Sequence, residues 1–234
     1  MKIALIGYGS MGKEVERLAL ERGFEVTVAA TGTDSGLSSD RLSTRLMGFD
    51  AAIDFSNSSA VFRNIEAALI ASVPIVEGTT GWDEKRAEIE RLVNNQNGAM
   101  VYAANFSLGV NLFYRLLNAA AEIFSNFSQY DVFIEEQHHK RKKDAPSGTA
   151  LKLAAIIEKH FRHKAPISST RAGFIPGTHR IGFDSDCDQI LLEHTARNRS
   201  GFAEGSLLAA RWIIGKKGFY SFDQVIGQII EDIK

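Results

Sequence analysis

Short apolar runs alternate with helical repeats through the first hundred residues. Lys2 to Ile6 is a compact apolar segment that reads as a buried strand, and it runs straight into Gly7-Tyr8-Gly9-Ser10-Met11-Gly12. Val15, Leu18 and Ala19 then recur at helical spacing among charges up to Gly23, and Phe24 to Ala30 predicts a second strand. The alternation continues with strands at Ala51 to Phe55, Pro74 to Glu77 and Ala99 to Ala103. Helices are predicted between them at Ser58 to Ser72 and Asp83 to Asn95. Regular strand–helix alternation predicts an α/β fold with a doubly wound parallel sheet.

After residue 107 the pattern changes. Gly109 to Phe124 predicts a long apolar helix and Tyr130 to Gln137 a strand. Ser147 to Phe161 predicts a helix with apolar Leu151, Ala154, Ala155 and Ile157. Strands are predicted around Thr178 to Phe183 and Ile190 to Ala196, joined by the polar turn DSDCDQ, and Phe202 to Ile214 closes the section as a helix. A hairpin backed by helices predicts an α+β domain with a mixed sheet. The expected organisation is a dinucleotide-binding domain over 1–107, to which 199–234 returns, and a substrate-binding and oligomerisation domain over 108–198.

Composition narrows the class. A chain of 234 residues with 44% hydrophobic and 24% charged residues has the profile of a soluble globular protein. Its net charge of −1 offers no bulk attraction to nucleic acid or an anionic membrane, so neither is expected as a partner. The one cysteine, Cys187, excludes an internal disulfide framework. The N-terminal apolar run is too short for a signal sequence, and no run reaches membrane-spanning length, so a cytoplasmic location is expected.

The glycine run has the form that a pyrophosphate site requires. Gly7 permits a tight turn, Gly9 lets backbone approach phosphates, and Gly12 lets helix and strand pack closely. The helix that follows presents unpaired N–H groups and a positive dipole end, making this a Rossmann-type dinucleotide site that includes Ser10 and Met11. An acidic residue for NADH, or an arginine for NADPH, belongs at the end of the second strand. The chain has Thr31-Gly32-Thr33 there, which supplies neither. Two further small polar turns, Gly78-Thr79-Thr80-Gly81 and Ala104-Asn105-Phe106-Ser107, end successive predicted strands at the same sheet edge and complete an expected cofactor crevice.

The densest chemistry lies in residues 135–149, EEQHHKRKKDAPSGT. Neighbouring strand residues point to opposite faces, so His138 and His139 can serve one site only where the strand ends. A histidine is the usual proton donor near neutral pH. Ser147 is a good helix N-cap, and the N–H groups of Gly148 and Thr149 form an anion nest to which Lys142 or Lys143 adds charge. Such a site suits a carboxylate. Asp184-x-Asp186-x-Asp188 lacks the glycine and glutamate of a calcium loop and predicts a hairpin turn, and no cluster has metal-ligand spacing.

The run Glu136-x-His138-His139-x-x-Lys142-x-Asp144-Ala145-Pro146-Ser147-Gly148-Thr149-Ala150 closely resembles the signature of the dihydrodipicolinate reductase family. GYGSMG, EGTTG, AANFSLGVN and RAGFIPGTH resemble its other motifs, so the likeness spans most of the chain. The resemblance implies reduction of a cyclic dicarboxylate imine, derived from 4-hydroxy-tetrahydrodipicolinate, to tetrahydrodipicolinate in lysine and diaminopimelate biosynthesis. NADH or NADPH would be the reductant. It implies His138 as general acid, Lys142 as an essential lysine, and His139, Gly148 and Thr149 as residues that hold substrate carboxylates. It places Arg199 near the domain hinge on the cofactor side, and it implies a homotetramer.

The chain departs from the family pattern at Thr31-Gly32, where members often carry an acidic or acidic-basic pair, so the nicotinamide preference is left open. Two competing readings are an aspartate-dehydrogenase-like Rossmann enzyme and a dinucleotide-sensing regulator without turnover. Neither needs the HHxxK and PSGT pairing.

Overall fold

The computed structural model describes residues 1–34 and 36–232 of the chain. They form two compact units, Met1–Leu108 with Arg199–Lys234, and Gly109–Asn198.

The first unit is built on a parallel six-stranded sheet. Its strands are β1 (Lys2–Ile6), β2 (Glu25–Ala30), β3 (Ala51–Asp54), β4 (Ile75–Glu77), β5 (Ala99–Tyr102) and, from the C-terminal return, β10 (Gly218–Ser221). Their order across the sheet is β10-β5-β4-β3-β1-β2. Strand β1 crosses over to β2 on one side, and the chain then returns to place β3 on its other side. The carboxyl ends of β1 and β3 therefore form a switch point, where open α/β sheets bind ligands. Every residue of β3 and β4 is buried, as expected of strands covered on both faces.

Helix α1 (Ser10–Glu21) and helix α7 (Ser200–Ile213) contribute to one apolar layer, with Val15, Leu18, Leu207 and Ile213 against Ile3, Leu5 and Ile53. Helices α2 (Ser39–Leu46), α3 (Val61–Ile70) and α4 (Arg86–Asn95) supply the other, through Leu42, Leu46, Ile65, Ile89 and Val93. A final helix, α8 (Phe222–Glu231), is opened by a reciprocal capping box between Ser221 and Gln224.

The structure adds to and corrects the predicted elements. The stretch 31–50, for which the pattern predicts no element, holds a 3-10 turn at Gly32–Asp34 and helix α2, which Ser38 caps. Two turns with three buried residues are too brief for periodicity to register. The helix read from Asp83 begins as a 3-10 turn, Asp83–Lys85, before α4, and the one read from Ser58 begins at Val61.

The second unit has helix α5 (Leu108–Phe124), most of whose length lies in it, helix α6 (Gly148–Ile157) and a four-stranded sheet in the order β7-β6-β8-β9. Strands β6 (Asp131–His138), β8 (Thr178–Asp184) and β9 (Gln189–Thr195) pair antiparallel, while β7 (Ile167–Arg171) pairs parallel to β6. Strand β7, which the apolar pattern does not predict, is a mostly exposed edge strand, ISSTR, with one apolar residue. DSDCDQ is the hairpin turn, closed by Ser185 N–H donating to Asp188 O. Val132 and Ile134 of β6 face Ile181 and Phe183 of β8 and pack on Phe113, Leu117, Leu153 and Ile157.

Helix α7 lies so close to the turn after β5 that a Cβ on Gly205 would sit 1.8 Å from the Phe106 carbonyl oxygen and 3.0 Å from the Phe222 ring. We expect Gly205→Ala to lose about 2–3 kcal/mol in chemical denaturation through this overlap. Gly201→Ala in the same helix, whose Cβ would meet Ser107 Oγ at an ordinary 3.5 Å, should be neutral or slightly stabilising. Equal effects at the two positions would refute the close approach.

Candidate active site

Two constellations carry chemistry, one in each unit. In the first, Gly7 adopts φ +86, and a Cβ there would lie 2.4 Å from the Phe55 carbonyl oxygen. A Cβ on Gly12 would lie 2.2 Å from the Gly7 carbonyl. Gly9 by contrast has nothing within 4 Å of its missing Cβ. The outer glycines are thus demanded by packing, whereas Gly9 leaves open space above the N-terminus of α1, as a pyrophosphate requires.

Gly7, Gly9 and Thr31 line a cleft of about 540 Å³, whose wall also includes Phe55, Asn57 and Arg63. Met11, Gly78, Ala104, Phe106 and Arg199 line a second, more apolar cavity of about 250 Å³, and Phe55 borders both. Ser10 accepts a hydrogen bond from Arg199 Nη1 at 2.9 Å. Gly12 is buried behind the turn. Thr79, Thr80 and Asn105 adjoin the cavity-lining residues in sequence without lining either space themselves. The residues suit a dinucleotide.

The ribose edge carries more charge than Thr31-Gly32 suggested. Asp34 turns back on its own loop, where Oδ2 accepts from Thr31 N–H at 2.9 Å and Oδ1 pairs with Arg45 at 3.0 Å. The Thr31 backbone hydrogen bond and Arg45 together lower its pKa. Arg63, which sequence reasoning missed, reaches from α3 to the Asp34 carbonyl at 3.0 Å and lines the cleft.

Beneath the same edge lie two fully buried carboxyl groups, Asp54 and Glu77, side by side in the β3–β4 register. Asp54 accepts from Ser56 N–H and Asn64 Nδ2, each at 2.7 Å, and Glu77 Oε1 accepts from Thr79 N–H at 2.7 Å. Glu77 Oε2 is buried with no hydrogen-bond donor among the described residues. Burial, then the Asp54 charge, raises the Glu77 pKa well above its ordinary value, and burial also raises that of Asp54. One proton shared by the pair satisfies both groups.

The second constellation is centred on β6. Alternation places Glu136 and His138 on one face, and the register brings His179 opposite Glu136. Glu136 is 1% exposed. Its Oε1 accepts from Arg171 Nη2 at 2.6 Å, Ser169 Oγ at 2.7 Å and Ser147 N–H at 3.0 Å. Its Oε2 lies 3.3 Å from His138 Nδ1 and 3.8 Å from His179 Nε2. Burial alone would raise the Glu136 pKa, but hydrogen bonds from Ser147, Arg171 and Ser169 outweigh it and hold it at about 2. Burial pushes His179 down to about 4, with His138 adding to the shift, and burial likewise lowers His138, with Glu136 opposing.

Strand β6 ends at His138, and buried His139 Nδ1 has no hydrogen-bond partner among the described residues. Lys142 Nζ pairs with Asp144 at 2.8 Å. Asp144 also accepts from the Gly148 N–H. Ser147 caps α6 through Ala150 N–H at 3.2 Å, and Thr149 hydrogen-bonds Tyr114.

Glu136, His138 and His179 bring three potential metal-ligand atoms within 4.8 Å, a cluster that linear spacing did not disclose. The Arg171 guanidinium already neutralises the carboxylate at 2.6 Å, so the charge that would attract a divalent cation is spent on an ion pair. Arg171 and His179 bound the RAGFIPGTH stretch singled out in the sequence, but only strand register brings them to His138 and Glu136. Glu136 was within reach of sequence reasoning: it stands two residues before His138 on a strand.

A Rossmann-type unit with a glycine turn at its switch point, carried on one chain with a buried histidine–carboxylate–arginine network, defines a pyridine-nucleotide-dependent oxidoreductase. The chain belongs to the dihydrodipicolinate reductase family: the model "Dihydrodipicolinate reductase, N-terminus" matches residues 1–106 and "Dihydrodipicolinate reductase, C-terminus" matches 109–226. A 4-hydroxy-tetrahydrodipicolinate reductase of Christiangramia forsetii is 35% identical over 244 residues, covering 99% of this chain and 100% of that protein. One from Neisseria meningitidis serogroup A is 34% identical over 233 residues, covering 91% and 84%. In fold, the chain matches dipicolinate-bound dihydrodipicolinate reductase from Paenisporosarcina sp. TG-14 with a TM-score of 0.81 at 24% identity, covering 96% of this chain and 99% of that one.

The buried pair yields a test with a definite sign. The native state keeps on Glu77 a proton that the unfolded chain releases near its ordinary pKa of 4.5. This stabilisation is full below that value and is lost as pH rises towards the raised native pKa. Glu77→Gln is neutral at every pH and can still donate to Asp54. We expect its denaturation free energy to match the wild type near acidic pH and to exceed it at alkaline pH. A pH-independent difference would show that no proton is shared.

Proposed function

We propose that this chain is a 4-hydroxy-tetrahydrodipicolinate reductase, which reduces a cyclic dicarboxylate imine to tetrahydrodipicolinate with NADH or NADPH. The reading is carried by the coincidence of the buried His138 with Lys142, His139 and the α6 N-terminus at the end of β6. A reduced nicotinamide, when bound, would supply the hydride that reduces the conjugated ring of the substrate. His138 then donates the proton that completes the reduction. Lys142, His139 and the N–H groups of Gly148 and Thr149 hold the substrate carboxylates.

Electrostatics suits this division of labour. Burial, Lys142 and Arg171 all disfavour a charged His138 in the free protein. A dianionic substrate offsets Lys142, so His138 takes up its proton as substrate binds. An aspartate-dehydrogenase-like enzyme or a nucleotide sensor would have no use for this arrangement.

Assembly as a homotetramer fits the outer face of the second unit's sheet, where half-exposed Leu191 lies in register with Gly182 and Phe133. The same face carries Glu135, Arg180 and Glu193, with Arg180 bonded to Glu193. We place the protein in the cytoplasm; no helix among the described residues is long and apolar enough to cross a membrane.

The direct test is nicotinamide oxidation by purified protein, with substrate generated by a coupled synthase. We expect His138→Gln to lower kcat by about 10²–10⁴-fold while nucleotide affinity is unchanged. Because a general acid must be protonated, wild-type activity should fall as pH rises through the His138 pKa. That limb should lie at lower pH in kcat/KM, which reports the free enzyme, than in kcat. Wild-type turnover in His138→Gln would reject the assignment.

For the nucleotide, Asp34 is offset by Arg45, and Arg63 lines the cleft wall. We expect both nucleotides to be used, with kcat/KM values within about a hundredfold and NADPH favoured. Arg63→Met should reduce activity with NADPH more than with NADH. A preference for NADH unaffected by this substitution would refute the assignment of the ribose edge.

A further inference from the structure

A histidine that donates a proton must present one ring nitrogen to the substrate and secure the other. The contacts around His138 distinguish the two. Nδ1 is buried and 3.3 Å from Glu136 Oε2, and neither atom has another hydrogen-bond partner among the described residues. The opposite edge of the ring, Nε2 and Cδ2, faces Gly177, where even a Cβ would approach to 3.3 Å. We infer that Glu136 is a positioning residue that holds His138 through Nδ1 and leaves Nε2 to exchange the proton, with Arg171, Ser169 and the Ser147 amide fixing the carboxylate. The inference rests on the reading of His138 as proton donor.

Three donors converge on Glu136 Oε1 from two separate elements, Arg171 and Ser169 of β7 and the N-cap of α6. They fix the plane of the carboxylate, and Oε2 has no freedom left except towards the two histidines. His179 does not compete strongly, because its Nε2 is 3.8 Å from Oε2 and lies 3.2 Å from Ser147 Oγ. The 3.3 Å separation to His138 is long for a charge-assisted bond, as catalytic contacts often are before substrate tightens them. When His138 takes up its proton, the imidazolium gains an adjacent anion already desolvated and oriented.

The charged and titratable neighbours of His138 come from every side. Glu136 lies on its own strand, Lys142 and Asp144 on the loop that follows, Arg171 on β7 and His179 on β8, its ring centroid 5.1 Å away. Removing the Glu136 charge leaves the two cations opposed by Asp144 alone. The imidazolium then becomes harder to form, a consequence that loss of packing would not produce.

The test uses the full chain in the coupled assay, across the pH range in which histidine titrates. Glu136→Gln should lower kcat roughly 10–100-fold and move the alkaline limb of kcat to lower pH by about one unit, with KM for the nucleotide unchanged. Glu136→Asp should recover part of both. If Glu136→Gln does not fold because Arg171 is stranded, the double variant Glu136→Gln/Arg171→Gln removes both charges and should show the same kcat loss. In wild-type protein with nitrogen-15 histidine, neutral His138 should carry its proton on Nδ1. An Nε2-protonated ring, or a folded Glu136→Gln with an unshifted limb while His138→Gln has lost turnover, overturns the positioning role and leaves His138 as donor. Wild-type turnover in His138→Gln overturns the reading beneath it and the inference together.

Discussion

An ionised carboxylate buried in a protein must find donors or a proton, because desolvating it alone costs more than a domain's whole stability margin. Each unit of this chain meets that constraint, in a different way. At the edge of the first sheet, Asp54 and Glu77 meet across neighbouring strands with no cation among the described residues to separate them, and a proton settles the conflict. In the second unit Glu136 stays ionised because Arg171, Ser169 and the Ser147 amide take one of its oxygens. The first solution yields a neutral, rigid floor, and the second a directed negative charge.

The neutral floor determines the shape of the nucleotide edge. The Ser56 and Thr79 N–H groups are both held by the buried pair, and Ser56 N–H also reaches Thr79 Oγ1 at 3.1 Å, so the turns after β3 and β4 are tied to each other. On the other side of the switch point, Gly7 is pressed against the Phe55 carbonyl and Gly12 against Gly7. Phe55 then stacks edge-on against Phe106, which packs on Phe222. The wall of both cavities is thereby assembled from side chains locked by contacts below them, as a site that must position a nicotinamide requires.

Much of this was legible in the sequence, and the limits are physical. Strand–turn–helix order and the glycine spacing are local, so the first unit's architecture and Gly7, Gly9 and Gly12 could be read directly. His138 and Glu136 share a face because strands have a period of two, which is again local. Arg171 and His179 join them through strand pairing, a tertiary fact that no spacing contains. The acids ending β3 and β4 were visible singly, but their meeting depends on which strands are neighbours. Helix α2 and strand β7 carry too few apolar residues to register as periodic. The ribose edge was underread for a similar reason: Asp34 and Arg45 reach it through a turn and a helix that the pattern did not reveal, and Arg63 through a helix read only for its apolar face.

On the proposed function, the two constellations answer a common problem in reductases, that a proton donor must stay silent until a hydride acceptor is present. A histidine with an adjacent carboxylate would ordinarily have a raised pKa and carry its proton at rest. Here burial, Lys142 and Arg171 outweigh Glu136, and the ring is neutral at rest near neutral pH. Asp144 meanwhile occupies Lys142 and the Gly148 N–H. A dicarboxylate that displaces Asp144 brings more negative charge than it removes, since Asp144 is singly charged. On that reading substrate binding would shift the balance at His138 towards the imidazolium, and Glu136, already oriented, would receive it without reorganisation. The carboxylates of the substrate are then part of the acid catalyst: they determine when the proton is available as well as where the ring is held.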